Sequence, residues 1–555
     1  MTNLELANLI FPEIRETIED LEKRYPQRNL KEGAEVTRFA PSPTGFLHTG
    51  SLFTSLICRK VASQTNGIFY IRLEDTDTKR EIEGSGKQLL EQLNIFNVKP
   101  DEGYLGDEQK GDYGPYIQSQ RADIYRVVIK DLLIKGLAYP CFCSPNDLES
   151  IRKDQESKKL NPGYYGEFAR CRDLNNDERA KRIKNGDNYV IRFRSNGNHL
   201  NKIKVHDLVH GDFEIAENDQ DIVIYKSDGL PTYHFAHVVD DHFMRTTTVI
   251  RGEEWISSLP IHIELFNTLG FQLPNYAHLP VIMKLDENGH KRKLSKRLDS
   301  EAAVSYFIQD GYPVESLPMY LMTIANSNFE AYILENKFEK MDAFNFSFNK
   351  MSLDGALFDI GKLNFFAREI LGKKTKDEMT ALAMEYAIKN NEELYNIITA
   401  NPQYFTAIMN IDREKENPRK DYEKFADVLN VIAFFYKDKY EKLVADNGLP
   451  FNEKFDKAFI ASVLEKLKVL DLSLDEQSWF NNLKSIAVSL SFAENNKMFK
   501  SNPELYKGTV GDVAEMLRIT LTSRKNSPNL YAIMQILGKE ESVRRINYII
   551  SLLNK

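Results

Sequence analysis

The chain has 555 residues, enough for about three to five domains, which rules out a small single module. Apolar residues at 42% and charged residues at 28% are ordinary globular proportions and exclude a disordered, collagen-like or disulfide-dense protein. A net charge of −8 excludes a wholly basic nucleic-acid binder but not a local phosphate-binding face, and four cysteines in so long a chain exclude a disulfide framework.

Apolar residues at helical spacing, Leu4, Leu6, Leu9 and Ile10 and then Ile14, Ile18 and Leu21, predict a helical extension over 1–35. Val36 to Phe39 reads as a short strand running into the Pro and Gly turn of Ala40 to Gly45, and Ser51 to Ala62 as a helix that Gly67 ends. A strand from Ile68 to Leu73 and a helix from Lys79 to Phe96 complete a βαβα opening over 36–100. Between 101 and 220 the pattern is mixed, with a helix near Asp123 to Leu137, a cysteine- and glycine-rich stretch and a strand from Tyr189 to Arg194, and this reads as an insertion. The alternation resumes over 221–300 with strands Asp221 to Lys226 and Thr247 to Ile250 and helices His234 to Met244 and Pro260 to Leu269. One Rossmann-type parallel sheet split by an insertion is expected, in a multidomain α/β chain with an all-α end. From 301 apolar residues recur at helical spacing, in Met379, Leu382, Ala383 and Tyr386 and in Phe425, Val428, Leu429, Ile432 and Phe435, and a seam near 370 separates 301–372 from 373–555. No window approaches about 18 uninterrupted apolar residues, so no membrane partner and a cytoplasmic, monomeric protein are expected.

Two stretches carry chemistry. In Arg38 to Ser51 a strand end, a turn and a helix start stand together, so helix N-terminal N–H groups and the imidazole of His48 can donate to phosphate oxygens while Gly50 lets a ligand approach the backbone. Alone, His48-Thr49-Gly50 could equally be a helix cap. Lys291 to Arg297 places five basic side chains in seven residues; lysines there could follow charge on a leaving pyrophosphate, or form a solvated basic loop.

Taken together, Arg38 to Ser51 resembles the HIGH signature of class I aminoacyl-tRNA synthetases in its glutamyl form, and Lys293-Leu294-Ser295-Lys296-Arg297 resembles the matching KMSKS-type loop. Arg72 to Asp77, Pro231 to Ala236, Val238 to His242 and Ile250 to Trp255 resemble further blocks of bacterial-type glutamate–tRNA ligases, in order, and looser similarity continues in Gly355 to Asp359 and Ser527 to Glu540. The resemblance implies a Rossmann catalytic domain, an inserted acceptor-stem domain over 101–220, a stem-contact region over 301–372 and a helical anticodon-binding region over 373–555. It implies activation of L-glutamate by ATP with Mg²⁺ to glutamyl-adenylate, then transfer to the 3′ end of tRNA(Glu) or also tRNA(Gln). His48, Lys293 and Lys296 would be catalytic; Gly50, Glu254 and Trp255 would join His48 and Lys296 in binding ATP, with Trp255 equally readable as a core residue. Arg38, Ala40, Ser42, Glu74, Tyr233, His237 and Arg251 would bind glutamate, unless Arg38 and Glu74 are simply an ion pair at strand ends.

Three departures stand out. Thr49 replaces the usual aliphatic residue, with only a packing change expected. His237 stands where Asn is common, and a ring facing the pocket would strengthen glutamate binding as pH falls toward about 6. The extension before Arg38 has no assigned role. Cys141, Cys143 and Cys171 resemble a zinc knuckle of some relatives, but no fourth ligand is evident beyond Tyr165, Glu167 or water, which favours a zinc-free cluster over Zn²⁺. A glutamine–tRNA ligase would show Pro-Glu-Pro-Asn in place of Pro41-Ser42-Pro43-Thr44, and an inactive tRNA-binding paralogue would have lost His48 or the basic loop.

Overall fold

The structure, a computed structural model, describes residues 1–77, 82–295, 297–353, 355 and 357–555. It divides into two units, 1–307 with 317–359, and 308–316 with 360–555. The expected seam near 370 falls inside the helix Ile360–Lys373, whose buried face runs through Leu363, Phe366, Ala367 and Ile370. Only Lys374 and Thr375 separate it from the next helix: Thr375 caps that helix, accepting from the Glu378 N–H, while the Glu378 side chain accepts from the Thr375 N–H.

In the first unit the extension forms α1 (Asn3–Ile10) and α2 (Ile18–Arg24), each opened by a capping box, Thr2 with Glu5 and Thr17 with Asp20. Leu6, Ala7, Phe11, Leu21 and Tyr25 are buried. The strands β1 (Val36–Phe39) and β2 (Ile68–Ile71) flank α3 (Thr49–Gln64) and pair in parallel from Val36 with Ile68 to Phe39 with Ile71. All four residues of β1 are buried, as expected of a parallel strand covered on both faces. The expected helix start at Lys79 lies outside the described residues; α4 runs Ser85–Ile95. Next, β3 (Glu102–Tyr104) extends the parallel set beside β2, and β4 (Gln109–Lys110) closes it antiparallel.

The insertion contains α5 (Ala122–Ile134), β5 (Ala138–Cys141), α6 (Pro145–Ser157), α7 (Asn176–Lys184), β6 (Val190–Phe193) and the hairpin of β7 (Lys202–Asp207) and β8 (Gly211–Ala216). The strand expected to resume the parallel sheet, β9 (Val223–Tyr225), instead joins β6 and β5 in an antiparallel sheet of the insertion. The alternation resumes with α8 (Tyr233–Phe243), β10 (Thr248–Gly252), α9 (Leu259–Leu269) and β11 (Asn275–Leu279), and β10 and β11 pair in parallel. Hairpin β7–β8 continues this second sheet, with Asp207 opposite Tyr276. The two sheets abut where the Thr247 N–H donates to the Val36 carbonyl at 3.0 Å. After them β12 (Met283–Leu285) and β13 (Lys291–Lys293) form a hairpin that presents the basic loop.

The extension ties these parts together. Lys130 of α5 donates to the carbonyls of Phe11 and Ile14, Glu22 accepts from His242 and Arg245 at the end of α8, and Arg28 pairs with Glu102 of β3 at 2.8 Å.

The second unit is helical. Met379, Ala383 and Ala387 bury one stripe of the helix Lys376–Asn390, and Leu382 and Tyr386 pack beside it. Phe425, Val428, Ile432 and Phe435 are buried as expected, but on a short helix Val428–Ile432 between two tight turns rather than on one long helix. Among the described residues no helix is long and apolar enough to cross a membrane.

Candidate active site

A cavity of about 1190 Å³ opens at the carboxyl ends of β1 and β10, where ligands bind in open α/β sheets. Its wall takes Arg38, Ala40 and Ser42 from β1 and the turn after it, His48 and Gly50 from the start of α3, and Glu74 from the loop after β2. Tyr233 comes from the start of α8, Arg251, Glu254 and Trp255 from the end of β10 and beyond, and Lys293 from the basic loop. Lys296 lies outside the described residues.

His48 is the N-cap of α3, and its Nδ1 accepts from the Gly50 N–H at 3.0 Å. That bond places the proton of the neutral ring on Nε2, so one imidazole both caps the helix and offers a donor. A Cβ at Gly50 would stand 3.3 Å from Nδ1, a tight contact that the capping ring would have to move to relieve. Thr49 does more than pack: its hydroxyl donates to the Glu301 carbonyl at 2.6 Å, and the Val304 N–H donates to the Leu47 carbonyl, so the helix start is stitched to the chain following the basic loop. At the loop base Arg292 forms a two-pronged pair with Asp299 at 2.6 and 2.8 Å, which holds the Asp299 carboxyl far below the usual range. Arg292 is thus committed to anchoring the loop, while Lys293 reaches the cavity.

Beneath the cavity lies a buried charge network. Arg38 and Glu74 are not each other's partners: Arg38 pairs with Asp241 at 3.1 Å, and Glu74 accepts from Arg72 at 2.9 Å. Arg72 also donates to Asp241 at 2.6 Å, and Arg121 to Asp240 at 2.6 Å. Three arginines and three carboxylates therefore balance, which is what makes their burial tolerable. Burial raises the Asp241 carboxyl, but Arg38 and Arg72 outweigh it and hold the group well below its ordinary value; burial raises Glu74 against the pull of Arg72.

His237 is fully buried and absent from the cavity wall. Its Nδ1 lies 2.9 Å from Asp241 and its Nε2 3.2 Å from the Tyr276 hydroxyl, behind Arg38. Burial pushes its pKa down to about 3, outweighing Asp241, so the ring is neutral at physiological pH and the expected gain in glutamate affinity near pH 6 does not follow from it. Trp255 is half-buried in the wall with its ring 4.4 Å from that of Tyr233, rather than in the core.

Sequence reasoning missed several groups. Asp207, His262 and His278, all fully buried, surround Arg251 from elements 11 to 44 residues away and offer no local spacing signal. The second was Tyr164. In the insertion Cys141, Cys143 and Cys171 bring their sulfurs within 4.8 Å of one another, and the Tyr164 hydroxyl lies 3.3 Å from both Cys141 and Cys143. Tyr165 turns away to the Asn161 carbonyl. The 3.7 Å between the Cys143 and Cys171 sulfurs matches the edge of about 3.8 Å that a tetrahedron with Zn–S near 2.3 Å requires. The donor set fits zinc, three thiols and a phenol, with no histidine.

Comparison with known proteins agrees with this geometry. Residues 35–365 match the family of class I tRNA synthetases (E and Q), catalytic domain, and residues 378–550 match an anticodon binding domain. A glutamate–tRNA ligase of Clostridium perfringens is 48% identical over 547 residues, covering 98% of each chain, and one of Clostridium beijerinckii is 46% identical over 99% of each. A crystal structure of a glutamate tRNA ligase from Elizabethkingia meningosepticum in complex with its amino acid superposes with a TM-score of 0.73 at 28% identity, covering 94% of this chain and all of that one. The chain belongs to the class I tRNA synthetases, in their glutamate–tRNA ligase family.

Proposed function

We propose that the ligase activity runs through the cavity at the carboxyl ends of β1 and β10, with L-glutamate held by Arg38, Tyr233 and Arg251 and its ammonium met by Glu74 beside Ala40 and Ser42. The observation that carries this reading is the convergence, from five separate stretches of chain, of two arginines, a buried carboxylate, a capping histidine and a loop lysine on one cavity. Guanidinium forks suit carboxylates, and Glu74 supplies the acceptor an ammonium needs.

The glutamate α-carboxylate attacks the α-phosphorus of ATP, forming the mixed anhydride and releasing pyrophosphate; a terminal ribose hydroxyl of tRNA then attacks the carbonyl carbon and AMP leaves. No protein nucleophile takes part. His48 donates from Nε2 to a phosphate oxygen, Lys293 and Lys296 follow the charge of departing pyrophosphate, and Trp255, Glu254 and Gly50 border the nucleotide. Mg²⁺ bound to the phosphates supplies further charge neutralisation. Transfer RNA for glutamate is the proposed acceptor, and the chain is proposed to act as a cytoplasmic monomer. Zn²⁺ held by Cys141, Cys143, Cys171 and Tyr164 would serve the insertion structurally, in place of the zinc-free cluster expected from sequence.

Glutamate-dependent ATP–pyrophosphate exchange, measured with tRNA present, tests the reading, together with charging of purified tRNA(Glu) and tRNA(Gln). Exchange that persists in Arg38→Ala and Arg251→Ala variants with wild-type KM for glutamate would place the amino acid elsewhere.

A further inference from the structure

Of the two arginines that line the cavity among the described residues, Arg251 is the one without a carboxylate partner. Arg38 and Arg72 both pair with Asp241, but the groups that hold Arg251 are uncharged: two imidazoles and, at 3.5 Å, the Trp255 carbonyl. Its Nε donates to Nε2 of His278 at 3.0 Å, and its NH2 lies 3.3 Å from Nδ1 of His262. A guanidinium has donors only, so each facing ring nitrogen must present its lone pair. His278 then carries its proton on Nδ1 and His262 on Nε2.

Both protons have acceptors in place. The first goes to Oδ2 of Asp207 at 2.7 Å, and the second to Nδ1 of His234 at 3.0 Å. Asp207 is itself fixed, since it accepts the backbone N–H groups of Val209, His210 and His278. A chain of bonds from Asp207 to His234 therefore sets both tautomers and fixes the plane of the guanidinium. The remaining nitrogen, NH1, is buried and has no hydrogen-bond partner, although the side chain forms part of the cavity wall and is only 6% exposed. Other buried arginines, Arg72 and Arg121 among them, also leave a nitrogen unmatched, but Arg251 does so in the wall of the cavity, where a ligand can supply the acceptor.

We propose that Asp207, His278 and His262 are positioning residues for amino-acid selection: they orient Arg251 through neutral acceptors, so that its NH1 and its uncompensated charge are kept for a substrate carboxylate. A carboxylate in place of either imidazole would hold the guanidinium as well but would cancel the charge that distinguishes a glutamate carboxylate from a glutamine carboxamide. This rests on the reading of Arg251 as a glutamate-binding residue.

The diagnostic variant is Asp207→Asn. The amide can keep the backbone contacts through its oxygen, but its NH2 turned to His278 forces the ring proton onto Nε2, against the Nε–H of Arg251. A second pair, His262→Leu and His262→Asn, acts at the other end of the chain; the Asn oxygen can replace the Nδ1 acceptor. In ATP–pyrophosphate exchange with tRNA present, Asp207→Asn and His262→Leu should each raise the KM for glutamate tenfold or more and leave the KM for ATP within twofold. His262→Asn should recover most of that loss. Arg251→Ala is run beside them. If it raises the glutamate KM while Asp207→Asn and His262→Leu do not, the positioning role is overturned and the binding role stands. If Arg251→Ala leaves the glutamate KM unchanged, the underlying reading fails and this one with it. Equal rises in both KM values would mark Asp207 and His262 as general supports of the fold and overturn the proposal, and should Asp207→Asn not fold, the His262 pair decides.

Discussion

His48 performs two tasks with one ring, and substitution can separate them. His48→Ala removes the cap of α3, worth about 1 kcal/mol, and the Nε2 donor, whose loss should lower kcat by ~10²-fold or more. Asn caps helices well, so His48→Asn should restore the melting temperature while recovering only part of the turnover. Equal recovery of both would remove the imidazole from the chemistry. For His237 the expectation is the reverse: with its pKa near 3 the ring does not titrate between pH 6 and 8, and the glutamate KM of wild type and His237→Asn should follow the same pH profile. A wild-type profile that steepens near pH 6 and flattens in the variant would show the ring to be charged.

At the scale of elements, the join of α3 to the chain beyond the basic loop hangs on Thr49. Thr49→Val is nearly isosteric but leaves the Glu301 carbonyl without its donor, at a cost of about 1–3 kcal/mol. Thermal unfolding should shift down accordingly, and an unchanged melt would mean that the hydroxyl is dispensable. The cysteine cluster makes a parallel prediction: purified protein should carry about one zinc per chain by elemental analysis, and a strong chelator should lower the melting temperature. Metal-free protein with the same melt would return the cluster to simple packing.

The strand, turn and helix from Val36 to Gln64 were legible in sequence because each signal is local: an apolar run, Pro and Gly in the turn, and a helix start. Local signals also mislead. Val223 to Tyr225 is a short apolar run that suits a parallel or an antiparallel strand, and only pairing with β6 decides between them. The tether of Arg251 was invisible for the opposite reason, since 27 residues separate it from His278 and 71 separate His278 from Asp207. Tyr164 escaped because a phenol seven residues before Cys171 matches no familiar ligand spacing, although folding brings it beside two sulfurs.

For the molecule as a whole, burial lowers the pKa of His234, His237, His242, His262 and His278 below their ordinary 6.5. Below about pH 6.5 the unfolded chain takes up protons on these rings that the folded chain refuses, so the unfolded state gains and stability falls with acidification. For His237 the window runs from about 6.5 down to about 3, and exclusion of its proton amounts to roughly 2 kcal/mol at pH 5. The melting temperature should therefore drop steadily from pH 7 to 5, and His237→Asn should make that slope shallower. A slope unchanged by the substitution would show that His237 accepts its proton in the folded state.

The extension that ties α5, α8 and β3 also bears on the order in which the protein can be made. Its helices leave the ribosome early, but Lys130, His242 and Arg245, to which they bind, are synthesised more than a hundred to more than two hundred residues later. At about 5–20 residues per second, the apolar faces of Leu6, Phe11 and Leu21 wait on the order of ten seconds or more before they can dock. The same delay makes docking of the extension a late event, one that reports that both halves of the nucleotide fold have already come together.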